Sequence, residues 1–306
     1  MADATVEHAP AKRFTFFDFW KRLPKEKPLG TVGFVITLFL LFTAIFADLI
    51  APYGMNETYA GTPLSPSSAE HWLGTDNIGR DVLTRIIYGA RVSVIVGLCG
   101  ATLGTIISAF IGIVTAYLGG TVDMVVQRFV DTWMCFPALI ISMVLVIGLG
   151  PSIFSIILAV AFTWGIPGSR VVRGAVISIR ENAFVDAARS IGCSTPIILL
   201  KHILPNVMAT LIILFSIRVP AMVLAEASLS FLGFGIPPPD PSWGSMLSGT
   251  GRQYMLRAPM LAVWPGLALA IVVYGVNMFG DAVRDLLDPR LRGGVARYNA
   301  KVKRPK

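Results

Sequence analysis

Long uncharged stretches alternate with short polar ones along this chain, and the lengths of the uncharged stretches set the first expectation. Leu29 to Ala47 holds no charged residue. With Asp48, Leu49 and Ile50 it reaches the length a helix needs to cross roughly 30 Å of hydrocarbon at about 1.5 Å per residue. Val92 to Val122 is again uncharged and predicts a second span. Thr132 to Ser169 is charge-free but too long for one crossing, and the turn-favouring Gly148-Leu149-Gly150-Pro151 divides it into spans three and four. Pro205 to Leu232 predicts a fifth span, although Arg218 and Glu226 fall inside it, and Ala258 to Gly280 a sixth. The pattern predicts an all-α integral membrane protein with six transmembrane helices.

Composition agrees. Of 306 residues, 54% are hydrophobic and only 14% charged, where a soluble domain carries about 25% charged residues. The net charge of +8 could suggest nucleic acid, but the basic residues are not interleaved with aromatics along one face. They crowd the ends: Lys12, Arg13, Lys21, Arg22, Lys25 and Lys27 before the first span, and Arg284, Arg290, Arg292, Arg297, Lys301, Lys303, Arg304 and Lys306 after the last. An even number of spans puts both termini on one side, and the positive excess makes that side cytoplasmic. The loop from Arg170 to Leu204, carrying Arg170, Arg173, Arg180, Arg189 and Lys201, falls on the same side. Pro52 to Arg91 and Gly233 to Arg257 face the other way, the latter with a rigid turn at Pro237-Pro238-Pro239.

The expected organisation is a cytoplasmic tail over residues 1–28, a first span over 29–51, an extracytoplasmic segment over 52–91, a five-span core over 92–286 with its polar loop at about 170–204, and a basic tail over 287–306. Within the first tail, Arg13 to Pro24 (RFTFFDFWKRLP) sets aromatic rings beside cations, the composition of a helix lying among anionic lipid headgroups. The first apolar run is too deep and too long for a removable signal peptide. Cys99, Cys135 and Cys193 lie far apart in no ligand spacing, so neither a disulfide framework nor a metal site is expected.

The polar loop has a shape of its own. Glu181 to Ile191 is rich in helix formers, with Phe184, Ala187, Ala188 and Ile191 at helical spacing. Gly192 stands where a left-handed cap is wanted. Ser194 or Thr195 then caps a second helix beginning at Pro196 and running toward Pro205. Ordering such a loop costs conformational entropy, which docking against a partner offsets. A helical hairpin resting on the membrane surface is the alternative.

At this loop a resemblance becomes specific. Asp186-Ala187-Ala188, three residues, Gly192, nine residues, then His202-Ile203-Leu204-Pro205 resembles the EAA loop of ABC importer permeases, written E-A-A-x(3)-G-x(9)-I-x-L-P. Asp186 stands for the usual Glu and His202 for the usual Ile. His71 to Arg91 (HWLGTDNIGRDVLTRIIYGAR) resembles the signature of C-type permeases for dipeptides, oligopeptides and nickel. So do Ser228 to Gly235 (SLSFLGFG), Trp243 to Leu247 (WGSML) and Gly280 to Arg290 (GDAVRDLLDPR), and the likeness covers about residues 29–292.

The resemblance implies a multi-pass permease of the bacterial inner membrane with the type I importer fold. Its partners would be a homologous B-type permease, two cytoplasmic ATPases and an extracytoplasmic binding protein. The implied cargo is a dipeptide or short oligopeptide, with nickel, glutathione or another small solute as alternatives. ATP and Mg would sit on the ATPases and no cofactor on this chain, which has no G-x-x-x-x-G-K-[ST] phosphate loop. The implied ATPase-coupling residues are Asp186, Ala187, Ala188, Gly192, His202, Leu204 and Pro205.

Other candidates come from charge placement. Arg218 and Glu226, eight residues apart on one helix, either line a translocation path or pair structurally. Asp76, Arg80 and Asp81 are candidate binding-protein contacts, with helix capping and local ion pairs as the alternative. A secondary transporter would need more intramembrane ionisable residues. A membrane enzyme would need a nucleophile and base or a metal motif, and with three scattered His none is seen.

Overall fold

The computed structural model describes residues 16–287, so the outer parts of both basic tails lie outside the described residues. The chain is helical almost throughout, with one isolated β-bridge between Thr75 and Asp81. In chain order the helices are α1 (Phe16–Glu26), α2 (Pro28–Ile45), α3 (Ala47–Ile50), α4 (Val82–Leu118), α5 (Gly120–Met134), α6 (Ala138–Leu149), α7 (Ile153–Arg180), α8 (Ala183–Ser190), α9 (Thr195–Ile197), α10 (Leu204–Phe231), α11 (Trp243–Met246) and α12 (Met260–Leu287). A wide π turn, Ile198–Ile203, joins α9 to α10 without a break. It ends where Leu204 N–H reaches back to Leu199 O, just before Pro205, whose missing N–H and bulky ring cannot continue ordinary i→i−4 bonding.

Among the described residues, five helices are long and apolar enough to cross a membrane: Pro28–Ile45, Val82–Leu118, Ile153–Arg180, Thr195–Phe231 and Met260–Leu287. A sixth span exists only as a bent pair, because α5 and α6 meet at 94°. This corrects the straight third span expected from Thr132. The twelve residues of α6 make a rod of about 18 Å, short of a full crossing. The break falls at Cys135–Pro137, where the proline removes a donor and disfavours helix at the residue before it.

Two further boundaries move. Asp81 caps α4 by accepting from Thr84 N at 2.8 Å, so α4 starts ten residues before the expected Val92 and runs for 37 residues. At the other end α7 continues to Arg180 and the next helix starts at Thr195. The loop expected at about 170–204 therefore shortens to 181–194 and holds one complete helix, α8.

The bundle is built on a seam of small residues. Along α4, Gly100, Gly104, Ser108, Gly112 and Ala116 recur every four residues and are buried, a spacing that lets helix backbones approach closely. They face Ala161, Gly165 and Ser169 of α7, also buried. A Cβ at Gly112 would lie 2.6 Å from Ser169 O. Helix α1 docks by burying Phe19 and Leu23 against Ala282 and Leu286 of α12, and Lys27 Nζ meets Asp285 at 2.5 Å. The aromatic segment expected at the membrane interface thus has one face on its own bundle, while Lys21 and Lys25 are exposed.

Two buried clusters fill the core around α4, α7 and α10. One joins Ile113, Val172, Val176, Val185, Ala188, Ile198, Ile203 and Val207; we call this the inner cluster, since it includes the loop helix α8. The other joins Val96, Ala101, Val146, Ile156, Val160, Met222 and Leu229 and is called the outer cluster.

Candidate functional site

Helix α8 is amphipathic in an unusual sense: it has one apolar face in the bundle and another in the open. Val185 and Ala188 are buried in the inner cluster, whereas Phe184 is 42% and Ile191 79% exposed. Gly192 ends the helix with φ +80°. Its N–H donates to Arg189 O and that of Cys193 to Ala188 O, both at 3.0 Å, the paired bonds of a Schellman cap. A Cβ at Gly192 would meet no atom within 4 Å, so the demand for glycine there is one of backbone conformation alone. Ser194 caps the second helix through its backbone, Ile198 N to Ser194 O at 3.1 Å, and not through its side chain.

The motif residues sit together on this loop and its exits. Asp186 and Ala187 are exposed and Ala188 buried. Asp186 accepts from Arg189 Nη1 at 3.4 Å, and Arg189 stacks over the Tyr117 ring at 4.9 Å while donating to its hydroxyl at 3.2 Å. That contact ties α8 to the end of α4, and the hydrogen bond to Tyr117 pushes the Arg189 pKa up. His202 is half-buried, its ring 6.5 Å from Phe184. Leu204 packs on the inner cluster and Pro205 is exposed.

Arg218 and Glu226 are both buried, at 6% and 0% exposed, and each has its own polar partners within the bundle. Arg218 donates to Thr105 Oγ1 at 3.3 Å, Ser108 Oγ at 2.8 Å and Trp164 O at 3.0 Å. Glu226 Oε1 accepts from Ser230 Oγ at 2.6 Å, and its Oε2 has no partner among the described residues.

Asp76 and Asp81 are also sequestered, at 3% and 2% exposed. Asp76 accepts from Ile78 N and Arg80 N at 3.0 Å and from Arg80 Nε at 2.6 Å. Asp81 accepts from Thr84 N and Oγ1 and lies 3.0 Å from His71 Nδ1. These are the capping and ion-pair contacts of the alternative reading, and Arg80 itself is half-buried. The exposed groups of the same segment are Tyr59 and Trp72, at 78% and 71%, which charge-based reading passes over.

Sequence reading also missed the cross-links between α5 and α7. Arg173 clasps Asp123 through two bonds, at 2.7 and 2.5 Å, and Arg170 pairs with Asp131. The three-residue spacing of the arginines and the eight-residue spacing of the aspartates are the signals that place each pair on one helix face. Among the described residues no group of three His, Cys, Asp or Glu is placed to hold a metal ion.

Two family models match the chain. The one described as binding-protein-dependent transport system inner membrane component covers residues 108–293, and the N-terminal TM domain of oligopeptide transport permease C covers residues 15–66. Among curated proteins, the dipeptide transport system permease protein DppC of Alkalihalophilus pseudofirmus is 38% identical over 92% of this chain and 94% of its own length. The glutathione transport system permease proteins GsiD of Escherichia coli and Shigella sonnei are each 36% identical over 92% of both chains. The chain therefore belongs to the inner membrane permeases of binding-protein-dependent ABC transporters, multi-pass components that are not themselves catalytic.

Proposed function

We propose that this chain is one of two unlike permease subunits in an ATP-driven importer of dipeptides, short oligopeptides or the peptide-like thiol glutathione. Support for the cargo class comes from the two relatives named for dipeptide and glutathione transport, which are nearly equally similar over almost the whole chain. Those cargoes share a small size, amide bonds and a free carboxylate. A homologous permease, an extracytoplasmic binding protein and two cytoplasmic ATPases holding ATP and Mg complete the assembly.

The observation that carries the reading is the divided surface of α8. Its Val185 and Ala188 face is fixed in the inner cluster, while Phe184 and Ile191 stay 42% and 79% exposed among the described residues. An exposed apolar face on an ordered connecting helix marks a docking surface. Asp186, Ala187, Gly192 and the His202–Pro205 exit shape it, and closure of the ATPases against it would select one of two packings of the spans.

Uptake into proteoliposomes holding the transporter with its own binding protein tests the cargo. Labelled alanyl-alanine or glutathione should accumulate with ATP, and nickel should not. ATP-driven accumulation of nickel alone would overturn the peptide reading.

A further inference from the structure

The fully buried residues of the inner and outer clusters occupy separate stretches of the helices. Along α4 one ends at Ala101 and the other begins at Ile113; along α7 the limits are Val160 and Val172, and along α10 Met222 and Leu211. Between these limits lies a polar group, Arg218 with Thr105, Ser108 and the Trp164 carbonyl, set among close-packed small and apolar residues such as Gly104, Gly165, Phe215 and Val219.

Arg218 has no carboxylate within ion-pair distance among the described residues. A guanidinium inside a membrane bundle is costly without such a partner, so its neutral acceptors call for a reason. That reason lies in α7. Pro167, inside the helix, has no N–H to give the Thr163 carbonyl, and its ring crowds that oxygen. The next two carbonyls both receive bonds from other helices: Trp164 O from Arg218, and Gly165 O from Ser108 Oγ at 2.5 Å. Gly168 leaves the space for this, because a Cβ there would overlap Arg218 Nη2. A second proline, Pro220, lies inside α10 two residues beyond Arg218, where it leaves the Ser216 carbonyl without its helical donor. The polar layer thus lies at proline-weakened turns in the two helices that flank the α8 loop.

We propose that Arg218 is a positioning residue that carries movement of α8 to the outer half of the permease. Its guanidinium pins the weakened turn of α7 to α4 and α10, so the inner cluster turns against the outer one as a single body. Three neutral bonds suit this task, since each can break and re-form without separating charges. The inference rests on α8 being the ATPase contact and assigns the route beyond it.

The test uses the complete transporter in proteoliposomes, with alanyl-alanine and glutathione as labelled probes. Two quantities are read: cargo moved per ATP hydrolysed, and the distance between spin labels at Ser190 on α8 and Gly148 on α6. Arg218→Met keeps the bulk of the side chain and removes its desolvation cost, so assembly should be retained. ATP hydrolysis should persist, cargo per ATP should fall by about tenfold or more, and the ATP-dependent change in label distance should be lost. Arg218→Lys, which keeps the charge but not the fork of donors, should recover part of both.

Unchanged cargo per ATP in Arg218→Met would overturn the proposal, as would a parallel loss of hydrolysis and uptake. Should Arg218→Met fail to assemble, the Thr105→Val/Ser108→Ala double variant is read by the same criteria. Cross-linking from a cysteine at Ile191 to the ATPase reports the docking separately. Absence of that cross-link in the otherwise unaltered protein defeats the docking reading, whereas its presence with intact coupling in Arg218→Met defeats only this inference.

Discussion

The inner and outer halves of the bundle use the same three long helices, yet they are closed in different ways. At the inner end, α4, α7 and α10 are joined by a connecting helix whose Val185 and Ala188 belong to the core itself. At the outer end, closure combines polar caps with a buried apolar cluster in which Trp243 and Met246 pack with Val82, Ala90 and Leu261. Asp81 caps α4, Ser242 forms a capping box with Ser245 at α11, and Trp243 Nε1 donates to Ile86 O at 3.0 Å. A force applied to α8 therefore enters the inner core directly, and on the proposal above the polar layer at Arg218 carries it on to the outer half. The comparison teaches that the inner end takes its connecting helix into the core itself, whereas the outer end is closed by hydrogen-bonded caps laid over an apolar cluster.

The strongest way to break the contrast is to part α4 from α7 within the inner half. A side chain at Gly112 would press on Ser169 O, Val172 Cβ and Arg173 N at 2.6–3.0 Å, including backbone atoms that have no room to yield. Gly112→Leu should cost roughly 3 kcal/mol or more and leave no assembled permease in detergent extracts, as judged by gel filtration. Gly148→Ala, where a Cβ would meet nothing within 4 Å, should assemble normally; equal recovery of both variants would remove the seam from the account.

A narrower change sharpens the comparison at the coupling helix. Gly192→Val strains a left-handed residue without steric collision, at about 1–2 kcal/mol or more for a β-branched side chain. The strain falls on the Schellman cap, so insertion and assembly should persist while uptake falls by about tenfold. Gly192→Asn, which tolerates the same conformation, should keep most of the uptake. Similar losses in Val and Asn variants would show that backbone conformation at Gly192 is not what matters.

The smallest effect is expected at the outer end. Asp81→Ala removes the cap of α4 and the partner of buried His71, at about 1–2 kcal/mol of stability. Thermal melting of the purified permease should shift down by a few degrees, with cargo moved per ATP unchanged. A loss of coupling without a stability change would mean that the outer end also transmits.

Much of this architecture was legible in the order of apolar and polar residues. Five spans, the α8 helix and its glycine stop follow from uncharged length, helix formers and one turn residue. The 94° bend between α5 and α6 escaped because hydropathy measures length and not direction, although Phe136-Pro137 carried the local signal. For Asp81 the sequence left a partner contact and a helix cap both open, and the Thr84 N–H and hydroxyl on its carboxylate show the cap. The sequence marked Arg218 as a costly charge that lines a path or pairs structurally, but its partners were not readable from its own helix. Its partners come from positions 105, 108 and 164, and only the folded bundle brings them to one place.

The central claim is that the open face of α8 receives the ATPase. A photo-activatable cross-linker placed at Ile191, 79% exposed, in the assembled transporter tests it most directly. The account predicts a covalent product with the ATPase subunit, and none from the same probe at Val185, which is buried. Cross-linking from Ile191 to lipid alone, with the ATPase present and active, would contradict the account.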